Sequence, residues 1–332
     1  MATIKDVAKE AGVSVATVSR VNNKSPKASQ ASIDSVTQAM KKLGYRPNAA
    51  ARALVSQSTN TMGVVVGDVS DPFFGSLIKS IDHVAHENGK HILIGNGYHN
   101  AEDERQAIEL MIDNRCEAMV VHAKGLTDKE LIAYANEVPG MVFINRNIPE
   151  LSHRCISLDN HRGAYLATEF LIRHGHTKIA CIASSHEIED TDQRLQGYLD
   201  ALKDNHIELS KRYIECGEPN SDGGEHAMTN LLTKSLDITA IVAYNDYMAA
   251  GAMAVLDQNG IDVPEKASIV GFDDGLIARF VSPSLTTIRY PIEMMADRAA
   301  QLALALSRGE QPEDETIVFS PTLVRRNSVD KH

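Results

Sequence analysis

The chain has 332 residues, 43% of them hydrophobic and 23% charged, with a formal net charge of −11 at pH 7. That length supports two or three cores instead of one, and no apolar run approaches the roughly 18–20 residues needed to span a bilayer. Its four cysteines, Cys116, Cys155, Cys181 and Cys216, are scattered with no CxxC pair, so neither a zinc site nor a disulfide framework is indicated and small buried thiols are expected.

The opening run MATIKDVAKE lacks the apolar stretch of a secretory signal, so a cytoplasmic protein with no membrane partner is expected. Ile4, Val7, Ala8 and Ala11 recur at the spacing of one helix face, with Thr3 placed to cap that helix and Asp6 three residues on as its acidic partner. Gly12 permits a tight turn, and Ser14 can cap a second helix. Two helices joined so closely read as a helix-turn-helix, whose second helix presents its N-terminal residues to base edges in a major groove. Charge agrees: residues 1–60 hold nine Lys and Arg against three acids, a net of +6, while the remainder carries −17. A basic end on an acidic body is expected where only one end meets phosphates.

Ile33, Val36, Met40 and Leu43 predict a third helix over about 29–43, closing a three-helix core and ending at Gly44. After Pro47 comes the alanine-rich run 49–54, a helix of about two turns that cannot stand alone in water. It reads as a segment that folds on binding or as a plain tether. The polar run 56–61 follows as a linker. The chain thus divides into a headpiece (1–45), a hinge and linker (46–61) and a body (62–330).

From Met62 onward, continuous apolar runs (63–67, 92–95, 118–121, 141–145, 178–183, 240–243, 268–272) alternate with amphipathic segments such as 74–87, 101–114, 162–173, 193–205 and 247–258. This predicts parallel sheets covered on both faces, in two doubly wound α/β subdomains. Ligands bind such sheets beyond the carboxyl ends of the strands. The residues there are polar: Asp68, Asp71, Asn145, Arg146, Asp159, Asn245, Asp246, Asp273 and Asp274, with Arg194 soon after the 178–183 strand. Phe73 and Phe74 place rings beside Asp71. Singly, each acid or amide could equally cap the next helix. Together they suit a polyhydroxylated ligand, with acids and amides binding hydroxyls and a ring covering the C–H face. The Phe73 ring would also suit a flat purine base. His174-Gly175-His176 has no partner at metal-ligand spacing, and no metal or other cofactor is expected. No GxSxG, GxxxxGK[ST] or HExxH pattern occurs, and Gly95-Asn96-Gly97 lacks the third glycine of a dinucleotide fingerprint, so the reading is a binding protein and not an enzyme.

The run TIKDVAKEAGVSVATVSR, the segment 47–54, and GFDD and LTTIRYP resemble the lactose-repressor (LacI) family of bacterial transcription regulators along essentially the whole chain. VVGDVSDPFFG, LIGNGYHN, VVHAK, RLQGY and VFSPTLVRR resemble its galactose-responsive members. The resemblance implies a homodimer with helix-turn-helix headpieces and bodies like periplasmic sugar-binding proteins. The subdomains would be about 62–158 with 291–317, and about 160–288 with 320–330, crossed three times by the chain. Carried over by position, Val15, Ala16, Thr17 and Arg20 would face DNA from the second helix, while Ala51 and Leu54 would enter the minor groove from the hinge. Among these Arg20 is the strongest base reader, since a guanidinium pairs in bidentate fashion with guanine. Asp71, Phe73, Asn145, Arg194, Asn245 and Asp273 would hold the effector. D-galactose is the implied inducer, releasing a repressor from a palindromic operator. The alternatives are a purine corepressor in the same family and a sugar-binding protein with no DNA role. Two departures stand out: Asn22 occupies a position where relatives carry Leu or Ile, and no leucine heptad follows Val329, so a dimer is expected and not a tetramer.

Overall fold

Thr3 and Asp6 close the first helix of the computed structural model as their spacing predicts. The Asp6 amide donates to Thr3 Oγ1 (3.4 Å) and the Thr3 amide donates to Asp6 Oδ2 (2.8 Å), a reciprocal capping box at α1 (Ile4–Ala11). The structure describes residues 2–23, 25–46, 59–208, 210–310 and 317–332. Gly12 turns the chain with φ of 67°, in the left-handed region that favours glycine. Ser14 Oγ then accepts the Thr17 amide at the start of α2 (Val15–Asn22). Ser29 caps α3 (Gln30–Leu43), and Gly44 ends it. Val7, Ala8, Val18, Val36 and Ala39 form the core of this unit, with Met40 and Leu43 packed against it. Ile33, which the spacing places in that core, is only half-buried, and Ala39 supplies the contact instead. Asn22 is half-buried at the last position of α2. The first unit runs to Thr59 and the second from Asn60 to His332. The proposed hinge residues Ala51 and Leu54 lie outside the described residues.

The second unit begins with β1 (Thr61–Val66), α4 (Pro72–Glu87), β2 (His91–Asn96), α5 (Ala101–Asp113), β3 (Ala118–Val121), α6 (Asp128–Glu137), β4 (Gly140–Ile144) and β5 (Cys155–Leu158). It continues through α7 (Asn160–Arg173), β6 (Ile179–Ser184), α8 (Glu189–Asp204), β7 (Ile214–Gly217), α9 (Ser221–Thr233), β8 (Ala240–Ala243), α10 (Asp246–Gln258) and β9 (Ser268–Asp273). It ends with α11 (Ile277–Phe280), β10 (Thr286–Arg289), α12 (Ile292–Ser307), β11 (Ile317–Phe319) and β12 (Thr322–Val324).

These strands form two six-stranded sheets, ordered β11-β5-β4-β3-β1-β2 and β12-β10-β9-β8-β6-β7. Every pairing is parallel except β12 against β10. Parallel strands need a crossover covering one face or the other, which explains the unbroken apolar runs. In the first sheet Met62, Val64 and Val66 face Leu77 and Ile81 of α4, all fully buried. Each such side chain contributes about 1.5–3 kcal/mol by leaving water. Helix α12 packs on α4, β3 and β4, while α7 packs on the second sheet. The chain therefore passes between the two halves after Leu158, after Arg289 and between Phe319 and Thr322.

Three details differ from the sequence reading. The short strands β5, β7, β10, β11 and β12 escape a search for apolar runs because Ser157, Glu215, Thr286, Thr287, Arg289 and Thr322 break four of them and β11 has only three residues. Cys216 is exposed, since β7 is a sheet edge, whereas Cys116, Cys155 and Cys181 are buried. Thr61 belongs to β1 and not to the linker.

Candidate functional site

On the headpiece, the capping of α2 by Ser14 sets which side of that helix is free. Val18 is fully buried beneath it. Val15, Ala16 and Arg20 are exposed, and Ala16 and Arg20, four residues apart, share a face. Thr17 is half-buried, and its hydroxyl lies 2.9 Å from Ser14 Oγ, so it serves the helix start as well as the surface.

In the body, the carboxyl ends of both sheets converge on one narrow cleft of about 70 Å³, open to solvent. Asp71, Phe73, Asn145, Arg194, Asn245 and Asp273 all line it. Asp71 caps α4, accepting the Phe73 amide at 2.9 Å, and burial raises its carboxyl above the ordinary range. The Phe73 ring meets Phe74 and Tyr290 edge-on, at 5.3 and 4.9 Å between centroids. Asn245 is anchored to the scaffold at both ends of its amide, which leaves one N–H donor and one oxygen lone pair for a ligand. Its oxygen accepts the Met248 amide and its nitrogen donates to Pro219 O, both at 2.8 Å.

Arg194 is the best-held group. Its Nε donates to Asn160 Oδ1 (2.9 Å) and its Nη1 to Tyr244 O (2.7 Å). The guanidinium lies over the Phe272 ring, 3.7 Å from the centroid, and beside Tyr244. Asp273, at the end of β9, stands 3.7 Å from the same Nη1. Burial pushes the Asp273 carboxyl well above the usual range despite that charge. A second buried pair bridges the two halves: Lys124 Nζ donates to Asp190 Oδ1 (2.8 Å), and Asn145 Nδ2 donates to Asp190 Oδ2 (2.5 Å). Burial alone would raise the Asp190 carboxyl, but the charges of Lys124 and Arg194 outweigh it and hold it low. Positive and negative groups thus pair within the cleft, an arrangement suited to a neutral polar ligand and unsuited to a strongly charged one.

The structure corrects the wider set of strand-end residues. Asp159 caps α7 by accepting the Arg162 amide. Asp246 is buried, accepting from Thr287 Oγ1 (2.5 Å) and the Gly275 amide (2.8 Å), and burial pushes its carboxyl up to about 7. Asp274 pairs with Arg289 and Arg326. Asp68 accepts the Ser70 amide, and Arg146 pairs with Asp128. His174 and His176 bond to Phe170 O, Thr239 Oγ1 and Asp330 O.

Sequence reasoning missed His99, His122, His186, Asp190, Tyr244 and Tyr290, all of which line the cleft. His122, Tyr244 and Tyr290 each follow a strand directly, so the strand-end rule would have found them had it counted rings as well as acids and amides. His99 is held neutral by burial and by the nearby His186 and Lys124, with its pKa lowered to about 4. His122 is lowered well below the ordinary value, chiefly by burial.

Residues 3–48 match the model for bacterial regulatory proteins of the lacI family, and residues 168–329 match a periplasmic binding protein-like domain. The chain is 58% identical over 330 residues to the HTH-type transcriptional regulator GalR of Salmonella typhimurium, covering 99% of this chain and 96% of that protein. The chain belongs to the LacI family. GalS of Salmonella typhimurium is 53% identical over 329 residues, covering 99% and 97% of the two chains. The crystal structure of the lac repressor dimer bound to operator and the anti-inducer ONPF superposes with a TM-score of 0.87 at 26% identity, covering 99% of each chain. As a LacI-family member the protein is a DNA-binding transcriptional regulator whose body takes a small-molecule effector. Among the described residues no helix is long and apolar enough to cross a membrane.

Proposed function

We propose that the protein is a galactose-responsive repressor. Two copies bind a palindromic operator, with Val15, Ala16, Thr17 and Arg20 of each headpiece at the major groove and Ala51 and Leu54 of each hinge at the minor groove. D-galactose enters the body cleft, changes the relation of its two halves and releases the operator. Asp71, Phe73, Asn145, Arg194, Asn245 and Asp273 hold the sugar. The observation that carries this reading is the meeting of those six side chains, from both halves, in one cleft. The 58% identity to GalR supports it over a purine corepressor or a sugar-binding protein without a DNA role. The protein is cytoplasmic, where operator and sugar are both met.

The test is a fluorescence-anisotropy titration of a labelled palindromic operator at fixed salt, with and without D-galactose. Binding should weaken with galactose and not with glucose or a purine base. Tighter binding in the presence of a purine would establish the corepressor reading instead.

A further inference from the structure

The crossings of the chain between the halves of the body run through β5, β10, β11 and β12, which form the last two strands at one edge of each sheet. Farther along both sheets, the loop after β3 meets the first turn of α8, the helix that follows β6. There Lys124 Nζ donates to Asp190 Oδ1 (2.8 Å) and Asn145 Nδ2 donates to Asp190 Oδ2 (2.5 Å). One carboxylate of the second half is thus held by two side chains of the first. The Lys124 and Asp190 side chains are 1% and 9% exposed. Bonds set away from the crossings resist parting of the halves with the longer lever arm.

Lys124 is aimed by a support of its own. Its Nζ also donates to Asn145 O, and the loop that carries it is gripped by Glu104 of α5. Glu104 is 1% exposed, and its carboxylate accepts the amides of Lys124 (2.7 Å), Gly125 (2.9 and 3.0 Å) and Leu126 (2.9 Å). Two glycines allow this approach. A Cβ at Gly97 would lie 2.6 Å from Glu104 Cγ, and one at Gly125 would lie 2.6 Å from the Ala101 nitrogen. Asp190 and Asn145 line the cleft, whereas Glu104 and Lys124 stand outside its lining. While the halves stay together, a buried ion pair holds them little better than apolar side chains of the same size. It differs from them when the halves part, because each charge then regains water. Such a pair suits an interface that must open and close.

We propose that Asp190, Lys124 and Asn145 form a latch that sets the balance between closed and open arrangements of the two halves before any ligand is bound, with Glu104 as the positioning residue that aims the lysine. A latched body is preorganised for a ligand that touches both halves, and the apparent affinity of that ligand scales with the latched fraction. This consequence rests on the effector reading above. The latch itself is tested without sugar, so either can fail while the other stands.

Single-molecule energy transfer within one full-length chain tests it. One dye sits on Cys216, exposed on β7, and the other on Lys129→Cys, an exposed position of α6, with labelled chains diluted into unlabelled ones. Without ligand the unaltered protein should show chiefly the short distance. Lys124→Met leaves the Asp190 carboxylate buried and unpaired, and opening relieves this by admitting water. The closed-to-open ratio should therefore fall on the order of tenfold or more. Adding Asp190→Asn to Lys124→Met should restore part of the closed population, because the stranded charge is gone. Glu104→Gln turns an NH₂ group toward the donors of the loop and should also open the halves. Combined with Lys124→Met it should add nothing, and a further loss would refute the positioning role. Distances unchanged in Lys124→Met and Glu104→Gln, independent effects of Lys124→Met and Asp190→Asn, or an unaltered protein that is mainly open would each overturn the latch. Thermal unfolding shows whether each variant is folded. Where Lys124→Met is not, the isosteric Asp190→Asn decides: it must populate the long distance, and an unchanged distance refutes the latch.

Discussion

The headpiece and the body solve recognition in opposite ways. The headpiece is organised by residues three or four apart, Thr3 with Asp6 and Ser14 with Thr17, and its candidate contacts Val15, Ala16 and Arg20 are exposed. The body gathers its contacts from across the chain and buries them: Arg194 meets Asn160, Tyr244 and Asp273 through three separate strand ends. An exposed basic surface suits a large polyanion, whose charge does much of the binding. A buried, charge-paired cleft suits a small neutral ligand, where preformed hydrogen bonds must replace water one by one.

Salt should separate the two regions most widely. For about six or more phosphate contacts, operator affinity should fall roughly 10³-fold between about 50 and 200 mM salt, with a log–log slope of about −0.9 per contact. Galactose affinity over the same range should change less than about twofold, because the paired charges of the cleft are shielded from the ionic atmosphere. A sugar affinity that tracks salt as the operator affinity does would break the contrast.

Arg194→Leu comes next in size. It removes a guanidinium that contacts Asp273, Asn160 and Tyr244 and leaves their polar groups bare. Losing one partner of a buried charged contact costs about 2–5 kcal/mol, so galactose affinity should fall on the order of 30-fold or more by calorimetry. Operator binding without sugar should stay close to that of the unaltered protein. An equal loss of both would make Arg194 a general scaffold residue.

Arg20→Ala sharpens the headpiece side with the smallest effect. It should reduce the preference for operator over random DNA by about 1–3 kcal/mol, the worth of one bidentate base contact. The readout is the ratio of the two affinities at one salt concentration. If both drop together, Arg20 meets phosphate and not a base.

The same division explains what could be read early. The caps at Thr3 and Ser14, the turn at Gly12 and the strand-helix alternation are local in sequence, and sequence alone determined them. Short strands such as β7 and β10 carry polar residues, Glu215 in one and Thr286, Thr287 and Arg289 in the other, so they show no apolar run, and their place depends on the neighbours they pair with. The strand-end acids look alike in sequence, yet Asp273 lines the cleft while Asp246 is tied to Thr287 and Gly275 and Asp274 to two arginines. Sheet order made that choice, because it sets which partner arrives beside each carboxylate. The pairing of Lys124 with Asp190, 66 residues apart, and the meeting of His99 with His122 were likewise decided only in three dimensions. Sequence determined the helix-turn-helix, the α/β body and the chemical types at the strand ends, since those follow from local backbone preference and apolar pattern. Tertiary structure decided which of those groups remain free for a ligand, since a hydrogen-bonding group is committed only when its partner is brought within reach.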